Sequence, residues 1–476
     1  MADTETPVGA ALKLIEPGRG DFLLESVEGG EVRGRYSLLG LDPDLIFRAQ
    51  GERAEVNRDW ALDRDAFVPC ANGTLAELRA LVESCRIEVP PGLPAALACL
   101  VGYFAYETVA LVERLPRAQG PGLGLPDLLF VRPRVLLVFD RLGDELFCVA
   151  PVWPGATDPR AQVDTAGDRI DEVLRRLACA APPPGKPAPA TAIDLQPVTP
   201  PREFAAMIAR AKRYIEAGDI FQVVLSQRFS CPFPLPPLAL YRALRRINPS
   251  PFLYFLDLPG FAVVGSSPEI LVRVRGGEVT IRPIAGTRPR GATPDADRAA
   301  EASLLADPKE RAEHLMLLDL GRNDVGRVAA PGTVAVTDSF TVERYSHVMH
   351  IVSNVVGRLG AEHDALDALF AGFPAGTVSG APKIRACEIV AELERDARGP
   401  YAGGVGYFAP DGSLDSCIVL RTAVVKDGTM HVQAGAGIVA DSDPAYEQRE
   451  CEAKAGALIA AAREAMRLAS EPGFGQ

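Results

Sequence analysis

The sequence has no surplus of positive charge. Its 50 lysines and arginines face 62 aspartates and glutamates, a net charge of −12 with a pI near 5.1. A nucleic-acid or anionic-membrane partner would need a concentrated basic face, and none is visible. The opening Met-Ala-Asp-Thr-Glu-Thr-Pro is acidic and polar. It lacks the basic start and apolar core of a secretory signal, so the expected location is the cytoplasm. No clean apolar run suggests a membrane span either. The nearest, Leu93 to Val112, carries Pro94, Gly102 and Glu107 with nothing basic before it, and reads as a buried core segment. The nine cysteines, at 70, 85, 99, 148, 179, 231, 387, 417 and 451, form no Cys-x-x-Cys pair and have no His at zinc spacing. Reduced, mostly buried thiols are expected. The glycine-rich block Phe373 to Lys383 lacks the Gly-Lys-Ser/Thr ending of a phosphate loop, which argues against a nucleotide site.

What is present is a soluble globular composition, 47% hydrophobic and 24% charged over 476 residues, enough for two domains or one elaborate core. Phe22 to Asp42 reads as a hairpin-like pair of strands broken by Gly, and Val131 to Pro151 as a β-hairpin with a Gly-Asp turn. A charged helix follows to about Ala178. Residues 182–201 hold eight prolines, which predicts an extended, exposed connection. The expected organisation is an N-terminal region over 1–180, a linker over 181–200 and a second region over 201–470. That second region opens with a helix whose apolar face is Phe204, Met207, Ile208, Ala211 and Ile215, with Thr199 as N-cap and Gly218 just past its end. Ile220 to Phe229 and Phe252 to Leu258 read as strands, as does Cys417 to Leu420, with Arg421 at its end.

Polar residues are densest in three blocks: Ile281-Arg-Pro-Ile-Ala-Gly-Thr-Arg-Pro-Arg-Gly291, Ala312-Glu-His-Leu-Met-Leu-Leu-Asp-Leu-Gly-Arg-Asn-Asp324 and Glu343-Arg-Tyr-Ser-His-Val-Met-His350. Asp307 and Glu310 have capping-box spacing around Pro308, which puts Glu313 about one turn into a helix. A second helix starts near Pro444 and carries Glu447, Glu450 and Lys454 on one face. Periodicity alone reads these as salt-bridged surface helices. Together the blocks resemble the signature of the chorismate-utilising enzymes, and in particular the large subunits (component I) of anthranilate synthases. The resemblance spans nearly the whole chain and is densest from Gly218 to Ala462. It implies an α/β fold of two β-sheets packed as a sandwich and flanked by helices.

Chorismate is a small dianion with a poor hydroxide leaving group, so its enzymes must supply positive charge, hydrogen-bond donors and a proton. The resemblance places Glu313 and Glu450 on Mg²⁺, with Glu447 beside them and Lys454 on the substrate side. A hard cation held by carboxylates acts as a Lewis acid and a clamp on the substrate carboxylate. Gly286, Thr287, Tyr401, Arg421, Gly435, Ala436 and Gly437 fall where the family contacts chorismate, through close backbone approach, hydroxyl donors and a bidentate guanidinium. Glu269, in Gly265-Ser-Ser-Pro-Glu269, matches the general acid for the C4 hydroxyl and must stay protonated near neutral pH. His350 matches a histidine that assists pyruvate loss, Thr377 completes the set, and His347 falls at a variable position. Taken without its motif, His350 reads as a structural histidine.

The Leu-Leu-Glu-Ser motif and the turn Asn248-Pro-Ser-Pro-Phe-Leu253 resemble the two walls of an allosteric tryptophan pocket. This implicates Glu25 and Ser26 for the effector's amino group, with Pro251, Phe252 and Leu253 opposite. The apolar side chains at 252 and 253 suit an indole and ordinary core packing equally. Ala285 separates family members: aminodeoxychorismate synthases commonly carry a nucleophilic lysine there, and alanine leaves direct addition of ammonia at C2 as the expected course. No Cys stands in a Gly-x-Cys-x-Gly context, so ammonia is expected from a separate glutamine amidotransferase subunit. The competing readings are an enzyme releasing aminodeoxyisochorismate or aminodeoxychorismate, and a non-catalytic tryptophan-binding subunit.

Overall fold

The computed structural model describes residues 4–26, 34–94, 96–118, 120, 122–154, 158–181, 193–344 and 348–471. Much of the expected linker, and His347, lie outside the described residues. The described end of the linker is not all exposed coil. Gln196–Pro197 pairs as a short strand with Ser230 and Phe229, and Ile193 is buried. An isolated apolar residue among prolines has no periodicity to mark it.

The strands follow from alternation. Tyr36–Gln50 pairs antiparallel with Asp21–Glu25 and with Leu128–Asp140. Its Leu39, Leu41, Leu45 and Phe47 enter one core, while Leu38 and Ile46 enter a second. Side chains alternate at period two, so both faces of these strands are apolar and both are covered. The register slips between Pro43 and Leu45, next to Asp42 at φ 54°. Asp21 accepts the Asp42 amide at 2.8 Å and Arg134 binds the Asp42 carboxylate, which holds the kink.

The expected α/β architecture is present, and where two sheets were expected the strands among the described residues join in one hydrogen-bonded network of twenty-one. N-terminal strands join C-terminal ones at two places: Asp21–Glu25 beside Phe252–Leu258, and Leu100–Phe104 beside Gly404–Phe408. The main core draws on both, with Leu39 and Phe104 sharing it with Leu225 and Phe255. The apolar run from Leu93 thus becomes the buried strand Leu100–Phe104. Among the described residues, no helix is long and apolar enough to cross a membrane. All nine cysteines are free thiols, most of them buried.

Helices cover the outer faces. Pro444–Ser470 buries Cys451, Ala455, Leu458, Ala461, Ala462 and Ala465, and these small side chains let it lie close against Pro237–Ile247 and the strand Thr429–Ile438. Pro201–Glu216 buries Phe204, Ile208 and Ala211 as expected, but its N-cap is Pro200. Two consecutive prolines set the entry backbone without a side-chain cap, so Thr199 stands one residue too early. The strand expected at Cys417 to Leu420 is Leu414–Ile418, so Arg421 belongs to the link before Thr422–Lys426.

At the N- to C-terminal junction, Gly102 faces Gly406 and Phe130 on its two neighbours. A Cβ on Gly102 would lie 2.0 Å from the Leu129 carbonyl oxygen. Gly102→Ala is expected to cost about 1–3 kcal/mol through overpacking, read as a lower urea midpoint. An unchanged midpoint would show that the strands can separate there without penalty.

Candidate active site

The segment between the strands Phe261–Ser267 and Ile270–Arg275 holds Glu269, which is 7% exposed. Thr377 Oγ1, on the short helix Gly376–Ser379, donates to Glu269 Oε1 at 3.2 Å. Burial dominates this carboxyl and pushes it up to about 8, against the Thr377 hydrogen bond and the Arg421 charge, which pull it down. A carboxyl in that condition is protonated at neutral pH and can donate.

His350 faces Thr287 across the antiparallel strands Ile284–Pro289 and Val348–Arg358. Its Nδ1 lies 3.1 Å from the Gly286 carbonyl and 3.0 Å from Thr287 Oγ1. A carbonyl can only accept, so the hydrogen sits on Nδ1, leaving Nε2 as the basic nitrogen of the neutral ring. Burial lowers the His350 pKa; the Gly286 carbonyl opposes this and the Arg421 charge adds to it. Arg421 therefore acts on Glu269 and His350 together, from a backbone at φ 47° that side chains other than glycine rarely adopt. Gly286, at φ 77°, has the room a side chain would fill: a Cβ there would stand 3.1 Å from Glu310 Oε2.

Glu310 brings in the second group. It lies in the first turn of the helix Pro308–Gly326, capped by Asp307, which accepts the amides of Lys309 and Glu310. The reciprocal half of the expected capping box is missing, because the Glu310 carboxylate is bound by Arg288 at 2.7 Å. Burial raises Glu313, and the charges of Glu310 and Glu450 raise it further while Lys309 and Lys454 oppose them. Burial likewise raises Glu447, with Glu450 adding to it. Glu313 and Glu450 thus come within reach of each other's charge from helices far apart in the chain, with Glu447 one turn from Glu450. Lys454 pairs with Glu450 at 2.7 Å and donates to the Gly435 carbonyl at 2.9 Å.

Among the described residues no group of three or more Asp, Glu, His and Cys is placed to hold a metal ion. The convergence of mutually repelling, partly desolvated carboxylates nevertheless fits Mg²⁺. That ion is typically held by one or two carboxylates and completed by water and substrate. Gly435, Ala436 and Gly437 lie on the strand Thr429–Ile438. A Cβ on Gly435 would be 2.6 Å from the Tyr401 hydroxyl, and one on Gly437 would be 2.4 Å from the Gln222 amide. The glycines leave room where a side chain would close the space.

The expected effector residues meet elsewhere. Glu25, Ser26, Pro251, Phe252 and Leu253 line one cavity of about 410 Å³ with Arg273, Arg275, Arg282, Tyr407 and Asp415. Sequence reasoning assigned none of those five to the pocket: Arg273, Arg275, Tyr407 and Asp415 sit at ordinary strand positions with no motif around them, and Arg282 lies in the polar block from Ile281 without a role given to it. The Glu25 carboxylate is already engaged: Tyr241 donates to it at 2.6 Å, Arg245 at 2.8 and 3.1 Å, and Arg141 stands 3.7 Å away. Leu253 belongs to the main core as well as to the cavity wall.

A chorismate-binding fold with an acid, a histidine and converging carboxylates is the class that this geometry defines. The chain belongs to the chorismate binding enzyme family, whose model matches residues 22–460. It is 53% identical over its whole length to anthranilate synthase component 1 of Cereibacter sphaeroides, covering 95% of that protein. It is 49% identical to the component 1 of Thermus thermophilus, over 97% of this chain and 96% of the relative. The crystal structure of anthranilate synthase component I from Streptococcus pneumoniae superposes with a TM-score of 0.76 at 35% identity, over 91% of this chain and 94% of that one. The menaquinone-specific isochorismate synthase of Escherichia coli shares the fold, with a TM-score of 0.73 at 20% identity over 97% and 92% of the two chains.

Because the Glu25 side chain is wholly buried and Arg245 is its main cation, Arg245→Leu should destabilise the protein by about 3–5 kcal/mol, the cost of an unpaired buried charge. Thermal or urea unfolding reads this. A loss below about 1 kcal/mol would mean that the pair behaves as a surface ion pair.

Proposed function

We propose that this chain is the large subunit of an anthranilate synthase, converting chorismate and ammonia to anthranilate and pyruvate in the cytoplasm as the first step of tryptophan biosynthesis. The observation that carries this reading is the buried Glu269, raised to about 8, with Arg421 acting on both it and His350. Full-length identity to component 1 proteins supports it.

In this reading Glu269 gives its proton to the C4 hydroxyl as that group leaves as water. Ammonia adds at C2, since Ala285 offers no nucleophile of its own. His350 Nε2 then takes the C2 proton as the C3–O bond to the enolpyruvyl group breaks, and a proton added to the methylene carbon of the released enolpyruvate gives pyruvate. Arg421, the Thr287 hydroxyl, the Tyr401 hydroxyl and the Gly435–Gly437 backbone bind and orient the dianion. Mg²⁺ bound by Glu313 and Glu450, with Glu447 alongside, would supply Lewis-acid charge toward a substrate carboxylate.

Ammonia comes from glutamine through a separate amidotransferase subunit. Tryptophan is the feedback effector, and the 410 Å³ cavity has a volume suited to a ligand of that size. Since Glu25 is bound by Arg245 and Tyr241, its role there is shared between holding the wall and meeting the ligand's amine.

The direct test is the purified chain with chorismate, ammonium and Mg²⁺, with and without tryptophan, following anthranilate fluorescence and pyruvate. Accumulation of the amino intermediate without anthranilate would replace this reading with an aminodeoxyisochorismate synthase. Glu313→Ala should abolish Mg²⁺-dependent turnover, and unchanged turnover would count against the metal assignment. At constant free ammonia, kcat should hold up to about pH 8 and fall above it, as Glu269 loses the proton it must donate. Glu269→Gln should remove that limb and lower kcat by about 10²–10⁴-fold. A limb that persists in the variant would assign the titration to another group.

A further inference from the structure

Arg398 takes no part in the chemistry above, yet it is 3% exposed at the junction of the elements that carry it. Its Nε and Nη2 donate to the two carboxylate oxygens of Glu394 at 2.8 and 2.6 Å. Nη1 donates to the Val378 carbonyl at 2.8 Å and Nη2 also to the Val224 carbonyl at 2.7 Å. The guanidinium carbon lies 5.7 Å from the Tyr401 ring centroid and 4.5 Å from that of Tyr106. Glu394 Oε1 accepts in turn from the Ser226 amide at 2.7 Å and its hydroxyl at 3.1 Å.

Four of these partners belong to or adjoin the chorismate site. Val378 follows Thr377. Val224 pairs across the strands with Gly437, and Ser226 with Gly435. Tyr401 places its hydroxyl against Gly435. A second buried ion pair, Lys383 to Asp324 at 2.9 Å, closes the other side of the Thr377 turn. A buried ion pair often adds little net stability over an apolar filling, so its geometry is the better reason for its presence. Only a planar fork of five donors meets a carboxylate and two carbonyls on separate elements at once; a lysine ammonium cannot reproduce that pattern.

We infer that Arg398, locked by Glu394, is a positioning residue that fixes Thr377, Tyr401 and the Gly435–Gly437 backbone relative to one another, acting through them and not on the substrate. The inference rests on the chorismate reading given above.

The test compares ammonium-dependent anthranilate formation by the wild type, Arg398→Lys, Arg398→Ala and Glu394→Gln, with circular dichroism and thermal midpoints to measure the folded fraction. Arg398→Lys, which keeps the charge, should lose about 10²-fold in kcat/KM, the scale of a displacement near 1 Å. Millimolar guanidinium ion should restore Arg398→Ala at least about tenfold by refilling the fork's place, with no effect on Arg398→Lys or the wild type. Retention of activity by Arg398→Lys within about twofold, or losses that follow the folded fraction and resist guanidinium, would overturn the inference. If Arg398→Ala does not fold, the Lys and Gln variants decide: folded proteins with full activity overturn it, and folded proteins with low kcat/KM sustain it. A wild type that makes no anthranilate would instead overturn the chorismate reading itself.

Discussion

Desolvation of a carboxyl group is the constraint on which the rest of the site depends. In a chain of net charge −12, an acid left in water would be ionised and useless as a proton donor at neutral pH. Glu269 avoids this because it is nearly enclosed, and the Thr377 hydroxyl, the Arg421 charge and the Ile284 backbone moderate the shift without cancelling it. A guanidinium bonded directly to Glu269 would hold the group ionised. The placement of Arg421, outside a strand and at positive φ, puts its charge near the acid without cancelling the effect of burial.

The same physics operates with the same sign at the helices Pro308–Gly326 and Pro444–Ser470. There burial raises Glu313 and Glu447, the charge of Glu450 adds to both, and Lys309 and Lys454 oppose the rise only in part. One end of the site is thus short of positive charge and the other is poised to give up a proton, as a dianion losing hydroxide requires. Gly286, Gly435 and Gly437 line the interval, because a side chain at any of these would meet Glu310, Tyr401 or Gln222.

The cavity assigned to the effector is a near neighbour of this chemistry. Pro268 and Ile270 line it, flanking Glu269, and Arg282 and Ile284 line it from the strand segment that leads to Gly286. Arg282 is ion-paired with Glu343, which stands across the strands from His350. One wall is therefore shared by the two spaces.

Much of this was legible in the chain. The strand Phe252–Leu258, the helix starts at Pro308 and Pro444, and the hairpin ending near Val149 follow from alternation, capping residues and proline, all of them local effects. The motif letters named Glu269, Glu313, His350 and Glu450. What the sequence could not state was charge state or company. That Glu269 is protonated, that Glu25 is held by Arg245, that Glu310 turns to Arg288 and that Arg398 sits beneath Tyr401 depend on residues distant in the chain meeting in a medium of low polarity. Local sequence sets the backbone's period and its ends. The pKa of a group and the partner of a buried charge are set by what excludes water around it, which only the packed tertiary structure decides.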